Sequence, residues 1–255
     1  MATQKETKLK SLFNVIQRGN VVTSTLLKSV GISNDLRRYY VNSGWLESVG
    51  SGAYKKPYDN VEWQGAINAI QKQTDINVHV GGLTALTIQG YAHYFRLKNE
   101  TLYLFSEQKT KLPKWFTNYD WGIGLFHKST SFLSNNMGIK ELMIKEIAVL
   151  VSTPERAMLE CLYLVPQKLD LVESYQVFEG LVNLKPKLVM ELLQNCSSIK
   201  VKRLFLYMAE KANHQWFDFI QKDKIELGNG DRMIAKNGTY IPKYKITVPK
   251  ELSEL

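Results

Sequence analysis

"SNDLRRYYVNSGWLESVGSGAYKK", residues 33–56, decides the fold. Its first half reads as a helix. Ser33 is an N-cap residue, Leu36 and Tyr40 share a face at i and i+4, and Gly44 ends the run. Its second half reads as two short strand-like pieces around a glycine-rich turn, followed at once by Lys55 and Lys56. A lone hairpin is only marginally stable in water, so this one has to lean on something.

The support lies upstream. Leu9, Leu12, Phe13 and Ile16 fall at i, i+3, i+4 and i+7, which predicts an amphipathic helix over 7–18, stopped by Gly19. Thr23 or Ser24 caps a second short helix that carries Leu26, Leu27 and Val30 and closes at Gly31. Three short helices and then a hairpin is the order of a winged helix-turn-helix. In that motif the second helix of the pair, here 33–43, enters the major groove. Arg37, Arg38 and Asn34 point away from the Leu36–Tyr40 face, and these residue types pair bidentately with guanine and adenine. Thr23, Ser24, Lys28, Ser33, Lys55 and Lys56 suit phosphate oxygens, through hydroxyls at helix starts or through charge. The wing is expected to pack through Trp45, Leu46 and Val49 on the three helices, with Gly50 and Gly52 letting its tip turn.

Charge is concentrated in the same place. The 255-residue chain carries a net charge of +9. Residues 1–60 hold nine Lys/Arg against four Asp/Glu, a net +5, which points to a polyanionic partner. A second basic run, Lys185, Lys187, Lys200, Lys202 and Arg203, is either a solvated face or an extension of that footprint.

After residue 60 the texture becomes mixed. Residues 61–73 read as helix, "INVHVGG" as strand, and "LTALTIQGYAHYF" as a helix interrupted by Gly90. "TLYLFSE" and "WGIGLFHKS" are β-rich; residues 139–151 fit either strand or helix, and the flanking β-branched residues favour strands. "STPERAMLECLYLV" opens a helix with a hydroxyl cap and Pro154 in the first turn. Helices near 171–183, 186–195 and 199–213 follow, and the chain ends in strand-like "RMIAKNGTYIPKYKITVP". The expected class is α+β: a winged helix-turn-helix over 1–60 and a larger mixed α+β domain over 61–255.

Catalytic signatures are absent from the sequence. His79, His93, His127 and His214 make no metal-site spacing with one another or with cysteine, so no metal and no cofactor is expected. There is no Gly-x-Ser-x-Gly elbow and no phosphate-binding loop. Gly81 and Gly82 are expected to serve tight strand-to-helix packing, and Glu155 with Arg156 to serve capping and a surface salt bridge. Cys161 and Cys196 sit in apolar, helix-like surroundings that suit two buried thiols in a reducing compartment; a disulfide between them stays open at this point. No apolar run approaches the roughly 18 residues of a membrane span, and the first residues carry no secretory pattern, so a cytoplasmic protein without a membrane partner is expected.

Several stretches resemble one known family. "SGWLESVGSGAYKK" resembles the wing of AbiEi-type antitoxins of type IV toxin–antitoxin systems. "VHVGGLTALTIQGYAHYF", "VSTPERAMLECLYLVP" and "NGTYIPKYKITVP" are similar to that family's later segments, in the same order. The resemblance spans about residues 7–249. It implies an autorepressor that binds inverted repeats in its own promoter, as a monomer or cooperatively; whether monomers side by side or a preformed dimer fill the repeats stays open at this point. It also implies an antitoxin that neutralises a nucleotidyltransferase-type toxin without a stable complex, and no enzyme activity. The family's wing often carries a basic residue near its tip, where this chain has Glu47, Ser48 and Ser51. Two other readings remain at this level: a winged-helix regulator with a ligand-sensing C-terminal domain, and an enzyme tethered to DNA.

Overall fold

The computed structural model describes residue 10 and residues 12–92, 100–134 and 136–255. Residues 7–9 and 11 of the first predicted helix, and His93, lie outside the described residues. Residues 12–15 are helical (α1). Then come β1 (Val22–Thr23), α2 (Ser24–Ser29), α3 (Asn34–Asn42), β2 (Glu47–Gly50) and β3 (Ala53–Lys55). The strands pair antiparallel in the order β1-β3-β2, so the hairpin gains a third strand from the segment before α2. This is the winged helix-turn-helix the sequence predicts.

Both caps form. The Thr23 hydroxyl accepts from the Leu26 N–H at 3.3 Å and the Ser33 hydroxyl from the Leu36 N–H at 3.3 Å. Each satisfies an orphan donor of a first helical turn. Leu12, Ile16, Val22, Leu27, Ile32, Tyr40 and Leu46 form the unit's own small core. Tyr40 is buried beneath α3 while Tyr39 is 51% exposed, as the i, i+4 pairing with Leu36 requires.

Seven side chains are few for an independent domain, and the wing leans on a second support. Leu46 packs on the helices, but Val49 and Ala53 join the core of the larger domain. Trp45 is 43% exposed and meets the edge of Phe13, 5.9 Å between centroids. Gly52 turns the wing tip at φ +82°. Gly50 does not serve the turn: a Cβ there would sit 2.8 Å from the Trp115 Cβ, so glycine allows the wing to lie against that residue.

The larger domain starts with α4 (Trp63–Gln73), which is fastened to the winged unit. The Gln73 amide donates to the Val21 carbonyl at 2.9 Å and accepts from the Thr23 N–H at 2.7 Å, capturing the free edge of β1. Gly65 lies so close to the Gly19 carbonyl that a Cβ would be 1.8 Å from its oxygen. A five-stranded sheet follows from β4 (Val78–Val80), β5 (Thr101–Ser106), β6 (Gly124–Ser129), β7 (Ile139–Ile144) and β8 (Ile147–Ser152). Its order is β6-β5-β4-β8-β7, with β4–β8 and β5–β6 parallel. Residues 139–151 are thus a hairpin, turning at Lys145 and Glu146 with positive φ at both. α5 (Gly82–Ile88) and α7 (Pro154–Leu164) pack on each other and on the sheet, and α6 (Lys114–Thr117) carries Trp115 to the wing. Beyond them lie α8 (Leu171–Glu179), α9 (Pro186–Asn195) and α10 (Ile199–Lys211), then the small sheet β10 (Thr239–Ile241), β11 (Ile246–Val248), β9 (Arg232–Met233), and α11 (Lys250–Glu254).

The "PERA" stretch differs from expectation. Glu155 and Arg156 are buried, not a surface pair. Glu155 accepts from the Lys185 N–H at 3.0 Å and so anchors the approach to α9. Arg156 turns inward to Glu160, which is fully buried and accepts from Arg156 Nε at 2.8 Å, Ser152 Oγ at 2.8 Å and the Gly82 N–H at 2.9 Å. His79 Nε2 lies 2.8 Å from the same carboxylate. Burial alone would raise the Glu160 pKa. His79, Arg156 and the Gly82 N–H overcome that and hold it at about 2. Gly81 and Gly82 do serve close packing, and what they make room for is this carboxylate: a Cβ on Gly81 would lie 2.2 Å from Glu160 Oε2. A glutamate inside "MLECLYLV" was the sequence signal for a buried network. Cys161 and Cys196 are both buried free thiols.

Candidate nucleic-acid interface

α3 presents its polar face to solvent. Asn34 and Arg38 are exposed, and Arg38 is 80% exposed with only a loose 3.8 Å contact to the equally exposed Asp35. Such a pair holds an arginine weakly, so its fork remains available to a partner. Arg37 is half-buried and its guanidinium stacks over the Tyr54 ring at 5.4 Å. Tyr54 comes from β3, so the wing steadies a side chain of α3. The sequence offered no sign of that contact, because it depends on the register in which β3 closes. Lys28 at the end of α2 and Ser33 at the start of α3 are exposed, and Ser24 is half-buried beside Gly52 at the wing tip.

Two expected phosphate contacts are corrected by the geometry. Thr23 is buried, its hydroxyl caps α2 and its N–H is bound by Gln73, so it is a structural residue. Lys55 has a side chain only 12% exposed, paired with Glu47 Oε1 at 3.1 Å and donating to the Asp59 carbonyl at 3.1 Å. Glu47 and Lys55 are direct cross-strand partners, which is why the charge at the returning end of the wing is already answered. Lys56 lies 5.8 Å over the Phe13 ring with no carboxylate within 4 Å among the described residues, and remains the wing's available cation. The structure therefore brings Ser24, Lys28, Ser33, Asn34, Arg37, Arg38 and Lys56 to one unit and turns Thr23 and Lys55 inward.

The chain matches two family models. One is described as "Transcriptional regulator, AbiEi antitoxin N-terminal domain" and covers residues 5–97. The other, "Transcriptional regulator, AbiEi antitoxin, Type IV TA system", covers residues 99–249. The chain belongs to the AbiEi antitoxin family. No curated protein matches it. The fold of this AbiEi protein is similar to the crystal structure of the RV2827C protein from Mycobacterium tuberculosis, with a TM-score of 0.59 and 13% sequence identity over 90% of this chain and 86% of that one. At that identity the likeness concerns fold alone. Among the described residues no group of three or more His, Cys, Asp or Glu is placed to hold a metal, and no helix is long and apolar enough to cross a membrane.

Proposed function

We propose that this AbiEi protein represses its own operon by binding inverted repeats through residues 1–60, and that residues 61–255 carry antitoxicity. Asn34, Arg37 and Arg38 read bases in the major groove. Ser24, Lys28, Ser33 and Lys56 hold phosphates on either side. The observation that supports this reading best is the exposed face of α3, whose arginines have no strong protein partner while the wing steadies one of them. Binding is by a monomer or cooperative on paired repeats. The partner toxin is of nucleotidyltransferase type and is neutralised without a stable complex, and this chain acts as a regulator, not as an enzyme.

Two measurements test the proposal. Footprinting on the region upstream of the operon should protect inverted repeats, with affinity falling steeply as salt rises. Co-expression should rescue growth from the adjacent gene's product. Persistent toxicity in the presence of this protein would remove the antitoxin half.

A further inference from the structure

A cleft of about 230 Å³ opens where the start of β4, the end of β5, the loop before β7 and β8 come together. Asn77, His79, Ser106 and Asn136 contribute its polar lining, Ile139 and Leu150 its apolar walls. No Lys, Arg, Asp or Glu lines it among the described residues. The winged unit contributes nothing to it, so its role is separate from operator binding.

The polar groups differ in what they can still do. Ser106 Oγ is occupied by His127 Nε2 at 2.8 Å. The Asn77 amide donates one N–H to Glu107 Oε1 at 3.3 Å, which leaves its second N–H to donate and its oxygen to accept. Asn136 is exposed and has neither its oxygen nor its nitrogen engaged among the described residues. His79 is 6% exposed and its ring is fixed through Nε2 on Glu160. An ionised carboxylate only accepts, so Nε2 carries the proton in that bond. Nδ1 has no protein partner among the described residues.

A wall without charge repels neither pole but rewards neither, so phosphate and ammonium groups gain nothing here. The Asn77 and Asn136 carbonyl oxygens, which accept, and the amide N–H groups beside them, set between aliphatic walls, fit a flat, neutral heterocycle with N–H groups on its edge. The volume is several times the roughly 30 Å³ share of one water, which suits a ring system better than a single ion. We propose that this cleft binds an amino-bearing nucleobase, supplied either by a free nucleoside or nucleotide or by an unpaired base of a nucleic acid.

The test uses the full chain. Adenosine, cytidine, guanosine and uridine, and short unpaired DNA and RNA oligonucleotides, are titrated by calorimetry and by amide chemical shifts. Saturable binding is expected, with uridine weaker by about tenfold than an amino-bearing nucleoside because it presents no exocyclic N–H₂ to the acceptors. AMP should bind like adenosine. Ile139→Trp, which fills the cleft, and Asn136→Ala, which removes an exposed side chain, should each weaken binding by about tenfold. Both should leave thermal unfolding and operator binding unchanged. Binding by nucleosides identifies the free source. Binding by oligonucleotides alone, lost in Ile139→Trp, identifies the nucleic-acid source and upholds the site. No saturable binding of any probe to millimolar concentration, or equal binding by both variants, overturns the proposal.

Discussion

Two stretches of this chain look alike in sequence and have opposite fates. Lys28, Arg37, Arg38, Lys55 and Lys56 belong to the winged unit, and Lys200, Lys202 and Arg203 to α10. In the first, Lys28 and Arg38 lie in solvent and Arg37 rests on an aromatic ring. In the second, the charges are spent inside the fold. Arg203 is 1% exposed and donates to the carbonyls of Leu227, Gly228, Gly230 and Lys245 at 2.6–3.0 Å. Lys202 reaches the Glu226 carbonyl, and Lys200 the carbonyls of Tyr163 and Val165. The second basic run is therefore split. Lys185 and Lys187 stay exposed, while the α10 cations tie irregular backbone to a helix. A count of charge does not separate an exposed basic surface from backbone fastening. What separates them is whether unpaired carbonyls lie within reach.

The sharpest way to break this contrast is Arg203→Ala. It strands the carbonyls of Leu227, Gly228 and Gly230, because that of Lys245 also accepts from the Arg232 N–H at 2.9 Å; at about 1–3 kcal/mol for each one left buried without a donor, a loss of several kcal/mol is expected. Urea unfolding reads it. A loss below about 1 kcal/mol would put Arg203 with ordinary surface residues. Arg37→Ala combined with Arg38→Ala should behave in the reverse way. Stability should change by less than about 1 kcal/mol, while operator affinity falls by about 1–3 kcal/mol for each lost base contact. Wild-type affinity with a wild-type salt slope would remove α3 as the reading helix.

The winged unit was legible because local rules and fold agree there. Caps at Thr23 and Ser33, stops at Gly19, Gly31 and Gly44, and the Leu36–Tyr40 face all depend on neighbours within four residues. The strands at 139–151 were legible from their β-branched residues, but the turn at Lys145 and Glu146 that makes them a hairpin was not. What escaped depends on residues far apart in the chain. Gly50 looks like a turn glycine until Trp115 is laid against it. Thr23 looks like a phosphate ligand until Gln73 closes over it. Glu155 and Arg156 look like a surface pair until α9 and the sheet cover them. Glu47 against Lys55 is the partial exception. Strand register was needed to pair them, but the hairpin length alone made them candidates for opposition.

A subtler test uses pH on α10. Burial is the main cause, and Lys128 the second, that lowers the Lys200 pKa to about 8 from its ordinary 10.5. Between those values the unfolded chain binds the proton and the folded chain does not. Stability contributed by this group therefore rises as pH goes from about 8 to 10.5, and the charged form is a cost below about 8. Lys200→Met should lose that rise. Unfolding curves of both proteins across the window, compared as a difference, cancel the other lysines and the tyrosines. An identical pH dependence would place Lys200 with the solvated lysines.

The smallest expected effect lies within the wing, where two neighbouring lysines stand on opposite sides of the same contrast. Lys55 is neutralised by Glu47 and held by the Asp59 carbonyl, so phosphates would have to compete with partners already in place. Lys56 faces the Phe13 ring, with no carboxylate within 4 Å among the described residues. A cation that releases no counterion on binding adds nothing to the salt dependence, and one that meets a phosphate adds about 0.9 to the slope. Lys56→Gln should thus reduce the slope of log affinity against log salt by about 1, and Lys55→Gln should leave it within error. Lys55→Gln should also expose Glu47, a carboxylate near the DNA path, so any affinity it loses should be recovered by adding Glu47→Gln. A slope lowered by Lys55→Gln and not restored by that second change would mean that the wing rearranges on DNA to release Lys55.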